Sequence, residues 1–436
     1  SATDVSPKKI PELNRVYAGD CLEIMRTWPE NFVDAVVTDP PYGIRFMGKA
    51  WDGADIEKTI KRKMRKASSR PEGSSIENRA WCAGLYDLSL TGNTVFQAWC
   101  TEWATEVLRI LKPGGHLLAF GGPRTYHRLT SGLEDAGFEI RDCIMWIFGS
   151  GFPKSLDVSK AIDRKAGAER AVVGEGGRPC GGMGKNAYGY WDKQESNPVT
   201  APATAPAAAW QGWGTGLKPA HEPIVVARKP LAGTVAENVL KHGTGGLNID
   251  ECRIQAEKET GKENGMTGSG EPRPCKGRWP ANVIHDGSDE VMGEFGKAGE
   301  KNSPSGMTSR SYGTLKTMGD LNHRPCHDNG QTRESQNGFG DTGSAARFFY
   351  CAKASRSERG EGNKHPTVKP LTLIKYLIQL VTPPKGIVLD PFGGSGTTGL
   401  AAADLGFNFL VCEREREHIE TSERRIAPEL AQKKLF

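Results

Sequence analysis

The chain has 436 residues, and 57 Lys and Arg against 52 Asp and Glu give a formal net charge of +5. That length suits two or three domains, and so even a charge confines any nucleic-acid-binding surface to local patches. Glycine, at 54 residues, exceeds the ~7% average, while 37% hydrophobic residues allow a sizeable core and no run of ~18 apolar residues predicts a membrane span.

The segment SATDVSPKKIPEL at the start carries no apolar signal core, so a cytoplasmic protein is expected. The 10 cysteines include no CxxC pair. Cys326 and His327 are adjacent and cannot share a tetrahedron comfortably, so no metal site is expected.

Both ends of the chain predict α/β structure. Asn14 to Asp20 reads as a short strand, and Phe32 to Asp39 as a buried one running into Pro-Pro-Tyr-Gly. Val95, Trp99, Trp103, Val107 and Leu111 recur every four residues, the spacing of one helix face. Lys112-Pro113-Gly114-Gly115 reads as the end of that helix, and His116 to Phe120 as the next strand. Near the carboxyl end, Pro370 suits the first turn of a helix carrying Leu371, Ile374, Ile378 and Val381. A strand at Gly386 to Asp390, the loop PFGGSG, a helix from Thr397 to Leu405 and a strand at Phe407 to Glu413 complete a βαβ unit.

Two stretches interrupt this pattern. Arg45 to about Arg79 is polar, and its part from Lys58 to Arg70 holds Lys58, Lys61, Arg62, Lys63, Arg65, Lys66 and Arg70 with no acid. From about Gly149 to Ser344 the chain is rich in Gly, Pro, Ser and Asn. Thr200 to Ala209 reads as a Pro/Ala linker there, and Glu222 to Arg228 returns to strand character. Trp210, Trp213 and Trp279 suit either wedging or reading bases or the small core of an irregular module, and most of them read as that core. The expected organisation is one α/β domain from residues 1–45, 86–230 (with a Gly/Pro-rich loop at about 160–215) and 351–436. A basic insertion at 46–85 and a module at 231–350 break it.

Two motifs carry chemistry. Gly394-Ser395-Gly396-Thr397-Thr398-Gly399 fits G-x-G-x-x-G between a strand and a helix, with Glu413 closing the next strand as a candidate ribose acid. Alone it points to an adenosine-containing cofactor and leaves NAD, FAD and S-adenosylmethionine open. Asp39-Pro40-Pro41-Tyr42 ends a buried strand, where α/β sheets bind ligands. A proline pair removes two backbone donors. An acid, rigid carbonyl acceptors and an aromatic face then suit a flat group bearing an NH2.

Together, Asp39-Pro-Pro-Tyr42 and Asp390-Pro-Phe392-Gly393-Gly394-Ser395-Gly396 resemble the DNA amino-methyltransferases, which methylate adenine N6 or cytosine N4. Gly19-Asp20-Cys21 resembles the element bordering the cofactor's adenine. His365-Pro-Thr367-Val-Lys369-Pro370 resembles the segment closing over its methionine end. The order of motifs matches the permuted β group, and the glycine-rich middle is loosely similar to phage or prophage-type adenine enzymes. The resemblance implies a Rossmann-like, doubly wound methyltransferase sheet with 231–350 as target-recognition region.

It implies S-adenosylmethionine as cofactor, S-adenosylhomocysteine as product and double-stranded DNA as partner. Asp39, Pro40, Pro41 and Tyr42 would act on the base. Asp20, Cys21, Asp39, Thr367, Lys369, Asp390, Phe392 to Thr398 and Glu413 would hold the cofactor. By its charge alone, the stretch Lys58 to Arg70, with Lys58, Lys61, Arg62, Lys63, Arg65 and Lys66 as candidate DNA-binding residues, reads equally as a track for DNA phosphates and as a solvated loop. A homodimer, and a cognate restriction enzyme or none, are both compatible with it. Asp rather than Ser at position 39 leans towards adenine and leaves cytosine N4 open. Cytosine C5 chemistry needs a Pro-Cys nucleophile. Pro179-Cys180, Pro274-Cys275 and Pro325-Cys326 lie in loops with no buried strand before them. RNA or protein methylation usually pairs the Pro-Pro-Tyr turn with Asn, and an NAD-dependent oxidoreductase leaves Asp39 to Tyr42 unexplained.

Overall fold

The computed structural model describes residues 9–43, 90–151, 155–174, 198–254, 277–297, 344–352 and 368–433. Among them, nine strands form one sheet. In spatial order they are β1 (Arg15–Ala18), β11 (Asn408–Glu413), β10 (Ile387–Asp390), β2 (Val33–Thr38), β3 (Leu111–Phe120), β7 (His221–Arg228), β4 (Glu139–Ile147), β8 (Val283–His285) and β9 (Tyr350–Cys351). Neighbours run parallel except β7, which is antiparallel to both β3 and β4.

Every residue of β2 is buried, as a parallel strand covered on both faces requires. Side chains alternate between two apolar layers. Val33, Val36, Leu117, Ala119 and Leu389 join Trp103, Val107 and Ile110 of α2 (Leu90–Ile110). Ala35, Val37, Leu118, Phe120 and Val388 join Leu373, Leu377 and Val381 of α8 (Leu371–Val381) and Ala401 and Ala402 of α9 (Thr397–Asp404). This two-layered core is the doubly wound α/β fold implied by the motifs.

Three local expectations change. Helix α2 stops at Ile110, and Leu111 already pairs with Val33 as the first residue of β3. Lys112 to Gly115 therefore bulge out within a strand, after which His116 pairs with Ala35. Thr200 to Ala209 is no spacer. The Asp163 carboxylate, on α4 (Val158–Ala166), accepts from Ala203 N, Thr204 N, Thr204 Oγ1 and Arg170, which fixes β6 (Val199–Thr200) and α5 (Ala205–Ala209) beside it. The expected loop at about 160–215 thus contains packed structure, including β5 (Val172–Gly174), paired with β6. Finally, Trp210, Trp213 and Trp279 are exposed rather than core. Trp210 lies edge-on to Trp213, and Trp279 lies under the Arg253 guanidinium.

The sheet also fixes where a ligand can sit. From β10 the chain passes through α9 to β11 on one side, whereas from β2 it continues through α2 to β3 on the other. Adjacent strands whose chains depart in opposite directions leave a crevice at their carboxyl ends, the usual ligand position in open α/β sheets.

Candidate active site

The loops after β2 and β10 meet at that crevice. Val388 and Leu389 pair with Ala35 and Val36, and just beyond them Thr38 Oγ1 donates to Asp390 Oδ1 at 2.7 Å. Asp39 to Tyr42 and Asp390 to Thr398, about 350 residues apart in sequence, therefore share one edge of the sheet.

Lys369 organises the acidic turn. Its Nζ lies 3.0 Å from Asp39 Oδ2, 3.0 Å from Glu222 Oε2 and 3.1 Å from the Tyr42 hydroxyl. Tyr42 in turn donates its hydroxyl to Asp39 Oδ1 at 2.9 Å. Behind it, Thr125 Oγ1 donates to the Tyr42 carbonyl. Lys369 is buried, and its ammonium lies 5.0 Å from the Phe120 ring centroid and 5.5 Å from that of Tyr42. Burial works against the ammonium, but the Asp39 and Glu222 carboxylates outweigh it and hold Lys369 protonated, above its ordinary range.

The glycine loop is built differently. Asp390 is buried and accepts from Thr38 and from Phe392 N. Burial pushes its carboxyl up to about 6, against the pull of those hydrogen bonds. Phe392 packs between Trp99 and Trp103 of α2. A Cβ on Gly393 would lie 2.1 Å from Val411 Cγ1, and one on Gly396, at φ +78, would lie 2.0 Å from Ser422 Oγ. Both glycines thus let the loop press onto β11 and onto α10 (Arg416–Lys433). Ser395 and Thr397 face inward, tied to Arg425, and Thr398 donates to the Val37 carbonyl.

Glu413 spans loop and strand. Its Oε2 accepts from Gly394 N at 2.6 Å, and its Oε1 from the backbone of Arg414 and Glu415. Burial raises its pKa, but His418 and those backbone donors overcome this and keep it below the usual range. Asp20 stands beside it as N-cap of α1 (Cys21–Arg26), and Gly19 N donates to the Glu413 carbonyl. Cys21 is buried against this wall, and its thiol is pushed up by burial.

This donor set discriminates among adenosine cofactors. In a dinucleotide fold the loop's backbone N–H groups face a pyrophosphate. Here the Gly394 N–H already serves the Glu413 carboxylate, and an anionic phosphate placed there would meet a second anion. Asp20, Asp39, Asp390 and Glu413 line the same edge. That arrangement fits a cofactor with hydroxyl or amine donors and a positive centre, such as S-adenosylmethionine. Among the described residues, no group of His, Cys, Asp and Glu side chains is arranged to hold a metal, and no helix is long and apolar enough to cross a membrane.

Of the expected site residues, Asp20, Cys21, Asp39 to Tyr42, Lys369, Asp390, Phe392 to Thr398 and Glu413 all lie at this edge. Thr367, the basic series Lys58, Lys61, Arg62, Lys63, Arg65 and Lys66, and the three Pro-Cys pairs lie outside the described residues. Sequence reasoning missed Glu222, Thr38 and Arg425. Glu222 opens a stretch legible as a strand, but its position depends on β7 running antiparallel, which places the start of β7 beside the carboxyl ends of its neighbours.

The sequence is similar to those of known DNA methylases. A family model described as a DNA methylase, covering N6 and N4 methylases, matches residues 33–424. The Type II methyltransferase M.HindIII of Haemophilus influenzae is 23% identical over 404 residues, 92% of this chain and 90% of that protein. M2.MboI of Moraxella bovis is 47% identical over 68 residues, which span 16% of this chain and 24% of the relative. Among solved structures, the PvuII DNA methyltransferase, titled cytosine-N4-specific, aligns over 95% of this chain and 87% of its own at 13% identity and a TM-score of 0.40. The M1.HpyAVI–SAM complex aligns over 94% and 98% at 18% identity and a TM-score of 0.36.

Proposed function

Because the chain belongs to the N6/N4 DNA methylase family, we propose that it methylates the N6 amine of adenine in double-stranded DNA. The observation that carries this reading is the Thr38–Asp390 hydrogen bond, which joins the acidic turn to the glycine loop at the switch point. Acceptor and donor sites thereby share one crevice.

An exocyclic amine is a weak nucleophile because its lone pair is delocalised into the ring. The Asp39 carboxylate and the Pro40 carbonyl each accept one amine hydrogen, which favours a pyramidal nitrogen and frees the lone pair. Each Asp39 oxygen retains a lone pair beyond its contact with Lys369 or Tyr42. S-adenosylmethionine, the methyl donor of the family, supplies when bound a methyl group activated on a sulfonium sulfur. Asp390, Glu413 and Asp20 hold that donor across the crevice, with Glu413 the ribose acid. The residues contribute positioning and electrostatics, and the reaction calls for no covalent enzyme intermediate.

The target atom is inaccessible inside a duplex, so the base is flipped out at a cost of a few kcal/mol. Stacking on Tyr42 recovers roughly 1–3 kcal/mol of it. The basic stretch Lys58 to Arg70 supplies affinity through phosphates, and the region 231–350 reads the bases. Asp rather than Ser at position 39 supports adenine.

The test is transfer of tritiated methyl from the cofactor to unmethylated duplex DNA, followed by nucleoside analysis. N6-methyldeoxyadenosine is expected. N4-methyldeoxycytidine would reassign the base, and absence of transfer to any unmethylated DNA would overturn the reading. Single-molecule sequencing of DNA from expressing cells then gives the sequence context.

A further inference from the structure

We propose that Glu222 is a positioning residue for methyl transfer: acting through Lys369, it fixes the Asp39 carboxylate and keeps the cluster around it anionic. This deepens the reading above and rests on Asp39 being the amine acceptor.

Three charged side chains from distant parts of the chain converge here. Asp39 follows β2, Glu222 lies on β7 and Lys369 precedes α8. The ammonium sits 3.0 Å from an oxygen of each acid. Among the described residues, the Tyr42 hydroxyl and the Phe120 ring also face the ammonium, and Asp390 at the end of β10 feels the charge of Asp39. A cation between two carboxylates leaves one net negative charge.

Each simpler arrangement would serve the chemistry less well. Lys369 with Asp39 alone would form a neutral pair, drawing the carboxylate's electron density away from the incoming amine. Asp39 and Glu222 without Lys369 would repel, and the Asp39 carboxylate would lose the partner that orients it. With all three present, Asp39 is held oriented, and the surplus negative charge faces the nitrogen that becomes positive as the methyl arrives.

The placement of Glu222, its side chain 20% exposed but its Oε2 cut off from water, makes little sense otherwise. A buried carboxylate is costly unless it is paired and hydrogen-bonded. Glu222 Oε2 is at ion-pair distance from Lys369 yet off the line of an aligned hydrogen bond. As a fold staple it is poor. As a source of charge behind Asp39 it has a use.

The experiment compares wild type, Glu222→Gln, Lys369→Met and the double variant on duplex DNA. It measures kcat, KM, cofactor affinity by calorimetry, melting temperature and the pH profile of kcat. Glu222→Gln is nearly isosteric. It is expected to lower kcat about tenfold, the low end of the loss seen when outer-shell partners of metal ligands are removed. KM and cofactor affinity should change less than about twofold, and the acidic limb of the profile should move to lower pH. Lys369→Met should move that limb to higher pH, and the double variant should bring it back towards wild type.

Unchanged kcat in Glu222→Gln, shifts of the same sign in both single variants, or losses that follow melting temperature alone would overturn the proposal. Should Lys369→Met fail to fold, the direction of the Glu222→Gln shift decides. An inactive wild type, or a fully active Asp39→Ala, would instead sink the underlying reading of Asp39. An active wild type, an inactive Asp39→Ala and an unaffected Glu222→Gln would remove only the role of Glu222.

Discussion

The two ends of the same strands are built on opposite principles. At the carboxyl edge of β2, β10 and β11, carboxylates gather: Asp39, Asp390, Glu413 and, because β7 runs the other way, Glu222. Asp390 is buried at a cost, with its carboxyl pushed up to about 6. At the opposite edge the polar groups are matched. Asp34 accepts from Lys112 Nζ at 2.6 Å and from Ile387 N at 2.8 Å, and Arg228 pairs with Glu139. One edge concentrates like charge where a ligand must bind, and the other neutralises charge to close the sheet. The lesson is that charge imbalance marks the candidate ligand-binding edge of this fold.

The contrast can be broken by mutation. The largest effect is expected at Asp39: Asp39→Ala should cut kcat roughly 100- to 1,000-fold and also lower the melting temperature, since the buried Lys369 ammonium loses one of its two carboxylates. A stable but fully active variant would remove the chemical meaning of that edge. Gly396→Ala comes next. A side chain at φ +78, pressed against Ser422, should cost about 3 kcal/mol of stability, read as a drop in melting temperature together with weaker cofactor binding.

The two edges should also answer pH with opposite signs. His116, buried near Arg228 at the neutralised edge, has its pKa lowered from 6.5 to about 4, first by burial and then by Arg228 and Arg141. Its contribution is present above about 6.5 and is lost as pH falls towards about 4, an amplitude on the order of 3 kcal/mol. His116→Phe should flatten that part of the stability curve in chemical denaturation, and an unchanged curve would show that the imidazole does not report the edge. Asp390 has the reverse sign. Its folded pKa is raised from 3.8, so its contribution is present in acid and is lost as pH rises to about 6. Asp390→Asn should therefore stabilise the protein near neutrality by about 3 kcal/mol while weakening cofactor binding. A destabilised variant would contradict a buried charge at the functional edge.

Legibility followed the range of the interactions. The βαβ unit from Gly386 to Glu413 and the buried strand before Asp39 were readable because their signals are local: runs of β-branched residues, a glycine turn and an acid at the strand end. Lys112 to Gly115 misled because Pro-Gly-Gly ends a helix as readily as it makes a bulge, and pairing with β2 decided the outcome. Thr200 to Ala209 looked like a spacer because its anchor, Asp163, lies about forty residues earlier. The three exposed tryptophans show that aromatic content in a polar stretch does not say which side of a surface it occupies.

By itself the sequence determined the kind of chemistry. A rigid acceptor turn after one strand and a glycine loop after another are composed of residue types whose properties hold wherever they are placed. It could not determine that these two strands are neighbours, that β7 enters antiparallel between β3 and β4, or that Lys369 falls between Asp39 and Glu222. Those facts depend on strand order, and strand order is set by burial of two apolar layers across residues hundreds of positions apart. The chemistry of each group is local, while the meeting of the groups is a property of the packed sheet.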